Sequence, residues 1–289
     1  MLQTSQYVLA AGTVFAILAL IANLIAVGGY KKNAVAADGH KVADDVSGAR
    51  AKKEHSAGWY GMAFHIVSLL AITVYLAMRV ALTGHGPFAN QHEFAVSFSW
   101  GILLVFLFFA VRYGLKAVSL VVFPVVIGLL IYAHTQEIAV IPLVPALQNS
   151  YLLTLHVGFA VLAYGAACVS FGAAVLWLIQ PRIPKEIRPK RDLLDEIGYR
   201  AAVVTFPLLT IMILLGALWA DTAWGRYWGW DPKETAAFVT WLIYGGYLHA
   251  RVVGDWRGKR SAWLLILGFA AVLFAYFGNH FFGGLHSYA

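Results

Sequence analysis

The sequence has a single cysteine and little charge. Of its 289 residues only 12% are charged, whereas 61% are hydrophobic and the mean hydropathy is +0.72. Because soluble domains carry roughly 25% charged residues, this composition predicts a polytopic membrane protein. The one cysteine, Cys168, excludes an intramolecular disulfide and a thiolate metal cluster within the chain. Its apolar surroundings predict a packing role.

Long apolar runs account for most of the chain. A bilayer core takes roughly 20 helical residues, and eight runs reach that length. Backbone groups in hydrocarbon must form their hydrogen bonds internally, so the runs are predicted to be helices. They cover approximately residues 6–29, 58–82, 95–113, 117–135, 151–180, 200–220, 235–253 and 261–282. We therefore expect an all-α fold, a polytopic membrane helix bundle of about eight transmembrane helices.

The amino terminus has no positive charge ahead of its first apolar run. MLQTSQYVLAAG lacks the basic region of a secretory signal, so residues 1–30 are predicted to be a retained first transmembrane helix. Residues 31–57 are the long polar stretch and are predicted to be a mobile or weakly helical cytoplasmic linker. Residues 58–289 are predicted to form one membrane domain.

The basic residues are divided unevenly between the two predicted faces. Cytoplasmic connections of membrane proteins are enriched in Lys and Arg, and all but three of the 21 basic residues lie in alternate connections. The exceptions are Arg79, Arg226 and Lys233. The basic connections are 31–57, 112–116, 181–200 and 251–260. They are predicted to be cytoplasmic, with both termini on the outer face. The net charge of +7 therefore reflects topology, and no nucleic-acid partner is predicted.

The predicted outer loop 221–235 contains the stretch WGRYWGWDPKETAAF, which concentrates tryptophan. Trp219, Trp224, Trp228 and Trp230 fall close together. An interfacial belt would scatter single aromatics over many helix ends, whereas clustered indoles favour a platform for a large, planar, apolar ligand. The DPKE that starts at Asp231 has the residue types of a helix start: an N-cap, a proline at the first position and an acid at the third.

Two of the ten histidines are predicted to lie at the level of this loop. His156 falls about a turn and a half into the fifth span from its outer end, and His286 follows the outer end of the eighth span. Two neutral imidazoles on opposite sides of an aromatic platform satisfy the requirement for axial ligation of heme iron.

Five other histidines have ordinary structural interpretations. His65 and His134 are expected to be hydrogen-bonded packing residues of the spans. His85 and His92, in an outer loop, are expected to be solvated, and His280 is expected to be interfacial.

His249 lies near the predicted cytoplasmic end of the seventh helix. It shares one helix face with Phe238, Trp241 and Gly245 by their spacing of three and four. Ionisable groups at membrane depth are costly and are usually functional, which favours a ligand role. The neighbouring Arg251 also permits an interaction with a lipid headgroup.

Five motifs together resemble the CcsA (ResC) cytochrome c biogenesis proteins, members of the heme-handling family marked by a tryptophan-rich WWD loop. The resemblance runs from about residue 58 to the carboxyl terminus. The motifs are WGRYWGWDPKETAAF, GHGPFANQHEF, PLVPALQNSYLLTLHVGFAVLAYG, YLHARVVGDWRGKR and YFGNHFFGGLHSYA.

The resemblance implies a system II cytochrome c synthase subunit of the bacterial cytoplasmic (inner) membrane, with the WWD loop and carboxyl terminus on the periplasmic side. Such proteins pair with CcsB (ResB), move heme b outward and join it to the CxxCH motif of apocytochrome c. By this resemblance His156 and His286 are the external ligands of heme iron, and His249 belongs to an inner site whose second histidine lies in CcsB. The loop residues that we expect to contact heme are Trp224, Trp228, Trp230, Arg226, Asp231 and Lys233.

Two alternatives remain open on the sequence. One is an exporter similar to CcmC, which delivers heme to a chaperone. The other is a quinol-linked heme b subunit, in which buried histidines pair across helices; for that role His65 and His249 are the candidates expected to be buried.

Overall fold

The computed structural model describes residues 1–37, 44–114, 117–140, 143–148, 150–183, 188–278 and 281–286. Within these residues the chain forms eight α-helices and two short 3-10 turns, with no strand, which confirms the all-α prediction. The helices are α1 (Leu2–Ala37), α2 (Asp44–Thr83), α3 (Gln91–Tyr113), α4 (Ser119–Thr135), α5 (Ser150–Ile179), α6 (Arg191–Trp224), α7 (Pro232–Val252) and α8 (Lys259–Phe277).

Six helices in the described part of the chain are both long and apolar enough to cross a membrane. Their candidate spans are Leu2–Val27, Ala57–Thr83, Gln91–Tyr113, Tyr151–Arg182, Arg191–Trp224 and Lys259–Phe277. The helix α4 is apolar but has 17 residues. The helix α7 has 21 residues, but Lys233, Glu234, His249 and Arg251 and its Thr, Tyr and Gly residues lower its hydropathy. A helix occupies each of the eight predicted positions and the membrane bundle is confirmed, but six helices rather than eight satisfy both criteria.

Helices α1 and α2 extend into the predicted linker 31–57. The first continues to Ala37 and the second begins at Asp44, and residues 38–43 lie outside the described residues. The cytoplasmic position of this segment stays a prediction.

Helix α5 forms the centre of the bundle and contacts α3, α4, α6 and α8. Small residues allow close approach of its neighbours, as is common where helices pack in membranes. A Cβ added at Gly165 would lie 2.6 Å from the carbonyl oxygen of Gly101 in α3, so this crossing requires glycine. Cys168 is fully buried in the same helix, as expected for a packing residue.

The predicted cytoplasmic connections meet at one end of the bundle. Arg200 donates to the hydroxyl of Tyr113 at 2.8 Å. Arg251 forms an ion pair with Asp195 at 2.6 Å, and Asp195 also accepts the backbone N–H of Gly258 at 3.1 Å. These contacts join the ends of α3, α6, α7 and α8, which agrees with the alternation of the basic connections. Which side of the membrane this end faces stays a prediction.

A buried ion pair joins α2 to α3 at the opposite end. Arg79 donates to Glu93 at 2.6 Å, and both side chains are 1% exposed. Arg79 also donates to the backbone oxygens of Ile138 at 2.8 Å and Ala139 at 3.2 Å. The second carboxylate oxygen of Glu93 accepts the N–H of Ala89 at 2.8 Å. Arg79, one of the three basic residues of the predicted outer face, is therefore structural.

Helix caps fix both ends of the tryptophan-rich loop. Helix α6 ends because Gly225 adopts a left-handed conformation, φ 70°, and donates its N–H to the carbonyl of Asp221 at 2.8 Å. Helix α7 begins with the predicted capping box. Asp231 accepts the N–H of Lys233 at 2.9 Å, and Glu234 accepts the N–H of Asp231 at 3.1 Å. The short connection between the two caps is thereby held against the bundle.

Candidate functional site

An aromatic cavity opens at the end of the bundle opposite the basic connections. It lies between α3, α5, α6, α7 and α8, and its empty space is about 960 Å³, including the solvent at its mouth. His156 and His286 both line it. Its aromatic walls include Phe94, Phe98, Tyr164, Trp219, Trp228 and Tyr276. Most of these rings come from the helices, so the tryptophan-rich loop supplies one side of the cavity rather than its whole floor.

His156 is held rigidly within α5. Its Nδ1 donates to the backbone oxygen of Met212 in α6 at 2.8 Å. Its ring is parallel to the indole of Trp219, with centroids 6.3 Å apart and 5° between the planes. Gly216 leaves room for the ring, because a Cβ there would lie 2.7 Å from Cε1. The hydrogen bond selects the tautomer with the proton on Nδ1, so Nε2 is the nitrogen with a lone pair for coordination.

His286 is held by the residue that caps α7. Its Nδ1 donates to Asp231 Oδ1 at 2.8 Å, and the backbone N–H of Leu285 donates to Asp231 Oδ2 at 2.6 Å. Asp231 therefore caps α7, orders the segment 281–286 and orients the imidazole. A carboxylate that accepts the distal N–H of a metal-binding histidine is a recurrent arrangement, because it fixes the tautomer and raises the basicity of the other nitrogen. The sequence indicated the cap but not this second role.

The charge states of Asp231 and His286 suit ligation by a neutral imidazole. Burial opposes ionisation of Asp231, but hydrogen bonds from His286 and from the N–H groups of Lys233 and Leu285 outweigh it and lower the pKa of Asp231 to about 2. Burial lowers the pKa of His286 below its ordinary 6.5, although the hydrogen bond to Asp231 opposes this shift. At neutral pH the carboxylate is therefore ionised and the imidazole is neutral.

Trp219 contacts the rings of both histidines. It is 1% exposed, its centroid lies 5.7 Å from that of His286, and its Nε1 donates to the backbone oxygen of Ala146 at 3.2 Å. Trp224 forms T-shaped contacts with Trp219 and with His286, and its centroid lies 4.8 Å from each. Trp219 was part of the recognised cluster but was not among the expected heme contacts. The position of Trp219 near the end of α6, on the face towards α5, is the feature that could have indicated a place in the site.

The other two tryptophans differ in position. Trp228 lines the cavity and contacts Trp230 edge to face, with centroids 5.6 Å apart. Trp230 is 65% exposed, has a positive φ of 55° and lies outside the cavity lining. Both rings also contact Phe238, with centroids 6.2 and 6.3 Å away.

The two cations of the loop are also separated. Lys233 lines the cavity with its Nζ 5.3 Å from the ring centroid of Phe94. Its neighbour Glu234 accepts the backbone N–H groups of Gly229 and Asp231, and no ion pair to Lys233 occurs among the described residues. Arg226 is exposed, lies against Gly229 and does not line the cavity. An anionic ligand in the cavity would therefore meet Lys233.

His249 is remote from this cavity. It lies three residues before the end of α7, at the basic end of the bundle, and its side chain is exposed. The predicted face does form an aromatic row. Trp241 stacks on Phe238 with centroids 6.0 Å apart and on Phe206 of α6 with centroids 5.2 Å apart. The exposure of His249 differs from the buried position that a quinol-linked heme b subunit would require.

Among the remaining histidines, the expectation for His92 is wrong. Its side chain is fully buried, its Nδ1 bonds to the carbonyl of Ala133 at 2.8 Å, and its Nε2 bonds to the hydroxyl of Tyr75. It lies in the first turn of α3 rather than in a loop, which turns it towards α2 and α4. His65 bonds to the carbonyl of Leu103 and is a packing residue as expected. His280 lies outside the described residues.

The chemistry of the site fits a metal that is already held by another chelator. Among the described residues no group of three or more His, Cys, Asp or Glu side chains could hold a bare metal ion, which commonly needs four ligands. Two imidazoles can complete the coordination of a metal whose remaining positions are filled by a planar macrocycle. The aromatic walls suit its faces, and the cation suits acidic substituents.

Comparison with known proteins identifies the family. The family described as "Cytochrome C assembly protein" matches residues 88–286. The cytochrome c biogenesis protein CcsA of Guillardia theta is 33% identical over 267 residues, covering 82% of this chain and 88% of that protein. CcsA of Prochlorococcus marinus strain MIT 9312 is 34% identical over 264 residues, covering 78% and 85%. This chain belongs to the CcsA family of cytochrome c assembly proteins.

The match to the cytochrome c assembly family includes α3 to α8 and ends at His286, so it contains every residue of the cavity. A solved structure of the cytochrome c heme lyase CcmF has the same fold, with a TM-score of 0.63 and 20% identity. That similarity covers 96% of this chain and 46% of CcmF. The chain is therefore a multi-pass membrane protein with the helical architecture of a cytochrome c assembly protein.

Proposed function

We propose that this CcsA-family chain is the heme-handling subunit of a membrane cytochrome c synthase. With a CcsB/ResB-type partner it exports heme b and presents it at an external site for thioether attachment to the CxxCH motif of apocytochrome c. The observation that carries the proposal is that His156 and His286, which are distant in the sequence, line one aromatic cavity.

The two histidines would bind the iron of the heme substrate through Nε2. Hydrogen bonds of both Nδ1 atoms to Met212 O and Asp231 support this assignment, because each leaves the ring oriented with Nε2 on the opposite side. Trp219 and Trp228 would contact the macrocycle. Trp224 would hold His286 in position by packing against its ring, and the exposed Trp230 would lie at the rim of the site.

Lys233 would pair with a heme propionate. A desolvated ammonium without a carboxylate partner is costly, so an anionic ligand would stabilise it. We expect Lys233→Met to weaken heme binding by about 10-fold, the equivalent of about 1.4 kcal/mol. The exposed Arg226→Met is the matched control and should bind heme normally. Equal effects of the two substitutions would argue against this role, and heme dimethyl ester should not distinguish Lys233→Met from the unmodified chain.

Attachment would depend on position rather than on an acid–base pair. Each cysteine S–H adds across a vinyl group: the sulfur bonds to the carbon next to the ring, and the hydrogen goes to the terminal carbon. This addition requires no net oxidation. Holding the vinyl groups still while the CxxCH segment enters converts a bimolecular reaction into an effectively unimolecular one. The histidine of CxxCH then replaces one of the two ligands.

We extend the same proposal to the orientation of the chain in the membrane and to its partner. The cavity would face the periplasmic side of the bacterial inner membrane, with both termini on that side and the basic connections in the cytoplasm. His249 would contribute to an inner heme site completed by the CcsB-type partner. Its exposed side chain on α7 supports this assignment, since a partner helix can reach it.

Heme spectra of histidine variants test the proposal. We expect the purified complex to show six-coordinate, low-spin heme that is lost from the external site in His156→Ala and in His286→Ala. His85→Ala is the control, because the ring of His85 bonds to the neighbouring carbonyl of Gly86 and lies outside the cavity. Retention of the same spectrum in both variants would contradict the proposal and favour a quinol-linked heme b subunit. Copurification with a heme chaperone instead of a CcsB-type protein would favour the exporter.

A further inference from the structure

The two histidines of the cavity are anchored in different ways. His156 belongs to the central helix, its Nδ1 bonds to Met212 O, and its ring lies between Trp219 and the position of Gly216. Moving this ring by several ångströms would require α5 and α6 to separate. Helix packing in a close-packed interior resists such a displacement.

His286 lies instead in the tail segment 281–286, which follows α8 and contains Gly283 and Gly284. A Cβ added at Gly283 would meet open space, and glycine imposes little restriction on backbone conformation, so the segment can rotate at Gly283. Gly284 lets the docked segment approach Asp231 closely, because a Cβ there would clash with Oδ2 of Asp231. Two hydrogen bonds to Asp231, from His286 Nδ1 and from Leu285 N, tie the segment to the start of α7. Trp224 packs against the imidazole of His286 in a T-shaped contact. Displacement of His286 needs no change in helix packing.

We propose that His286 is the exchangeable ligand of the site and that Asp231 is the positioning residue that controls its release. The inference rests on the proposed function, in which both histidines bind heme iron. His156 stays bound throughout, and the tail segment swings away when the histidine of the CxxCH segment arrives.

Asp231 suits this role because its own position does not depend on the tail. It is the N-cap of α7 and accepts Lys233 N at 2.9 Å, a contact that does not involve the tail. Release therefore leaves the carboxylate with a hydrogen-bond donor, and return of the tail restores the original contacts. While docked, the carboxylate raises the basicity of the imidazole and strengthens its bond to iron. Weakening that hydrogen bond should speed ligand exchange.

Carbon monoxide provides a probe of exchange in the full chain loaded with ferrous heme in detergent, because it must displace one histidine to bind. Asp231→Asn keeps an acceptor for the N-cap but removes the negative charge that polarises His286. We expect carbon monoxide to bind about 10-fold faster in this variant. Glu137→Gln is the control: the side chain of Glu137 is exposed and does not line the cavity, so the rate should be unchanged. Serine also caps helices, so Asp231→Ser is a second variant, and carbon monoxide should bind faster to it as well.

The Fe–C and C–O stretching frequencies together identify the histidine that remains. A change in polarity around carbon monoxide moves the two frequencies in opposite directions along one line, whereas a change in the ligand opposite carbon monoxide moves the pair off that line. If His286 has left, the pair of frequencies for Asp231→Asn lies on the same line as the pair for the unmodified chain. A pair displaced from that line, or an unchanged binding rate in both Asp231 variants, would overturn the inference. The spectrum recorded before carbon monoxide is added tests the proposed function by itself. The proposed function is wrong if that spectrum is not the spectrum of a bis-histidine heme.

Discussion

Gly216 gives the most direct test of how His156 is positioned. A Cβ at this residue would lie 2.7 Å from Cε1 and 2.9 Å from Nδ1 of His156, whereas ordinary van der Waals contact begins at 3.4 Å. In Gly216→Ala the ring must therefore retreat from α6 by about 0.7 Å, the difference between 3.4 and 2.7 Å. Such overpacking costs about 1–3 kcal/mol in a close-packed interior.

The retreat also affects the hydrogen bond that fixes the tautomer. A ring displaced from α6 by this amount lengthens the 2.8 Å contact to Met212 O beyond the limit of about 3.2 Å for an N–H···O bond. Loss of such a supporting hydrogen bond typically lowers metal affinity about 10–100-fold. We expect Gly216→Ala to weaken heme binding by that factor and to convert part of the heme to a five-coordinate form, as measured by absorbance titration of the purified chain.

Gly158→Ala is the matched control. Gly158 lies in α5 two residues after His156, and no atom lies within 4 Å of a Cβ added there. Both substitutions replace a helical glycine by a better helix former, so neither should reduce helix content. Heme affinity and spectrum should be unchanged in Gly158→Ala. A Gly216→Ala variant that binds heme with the original affinity and a fully six-coordinate spectrum would refute the assigned position of His156.

Two further predictions concern stability, measured by unfolding in detergent. Trp219→Ala should destabilise the chain by about 3–5 kcal/mol because the indole is buried, and should abolish heme binding. Trp230→Ala should cost less than about 1 kcal/mol because that ring is exposed, so similar losses for the two would contradict the burial pattern. Arg79→Met should cost about 3–5 kcal/mol because it leaves Glu93 buried without a cation. The double substitution with Glu93→Gln should recover much of that loss, and no recovery would show that the ion pair is not the cause.

Hydropathy and capping residues were sufficient to predict the positions of the helices. Apolar runs predicted all eight, because the length of a helix in a bilayer is constrained by the solvent around it. The DPKE sequence predicted the start of α7, since a helix cap is a local interaction between neighbouring residues. Prediction failed at the boundary of a helix. His92 was expected in solvent but lies buried, because the first turn of α3 begins earlier than its apolar run.

Within the candidate site, the sequence by itself determined that His156 and His286 lie at the same end of the bundle as the tryptophan-rich loop. Helix direction follows from the number of preceding spans, and this needs no knowledge of packing. Only the tertiary structure decided which loop residues line the cavity, that Trp219 lies beside both histidines, and that Asp231 orients His286. The physical reason is that such contacts join residues from different helices, and their formation depends on how those helices rotate and cross.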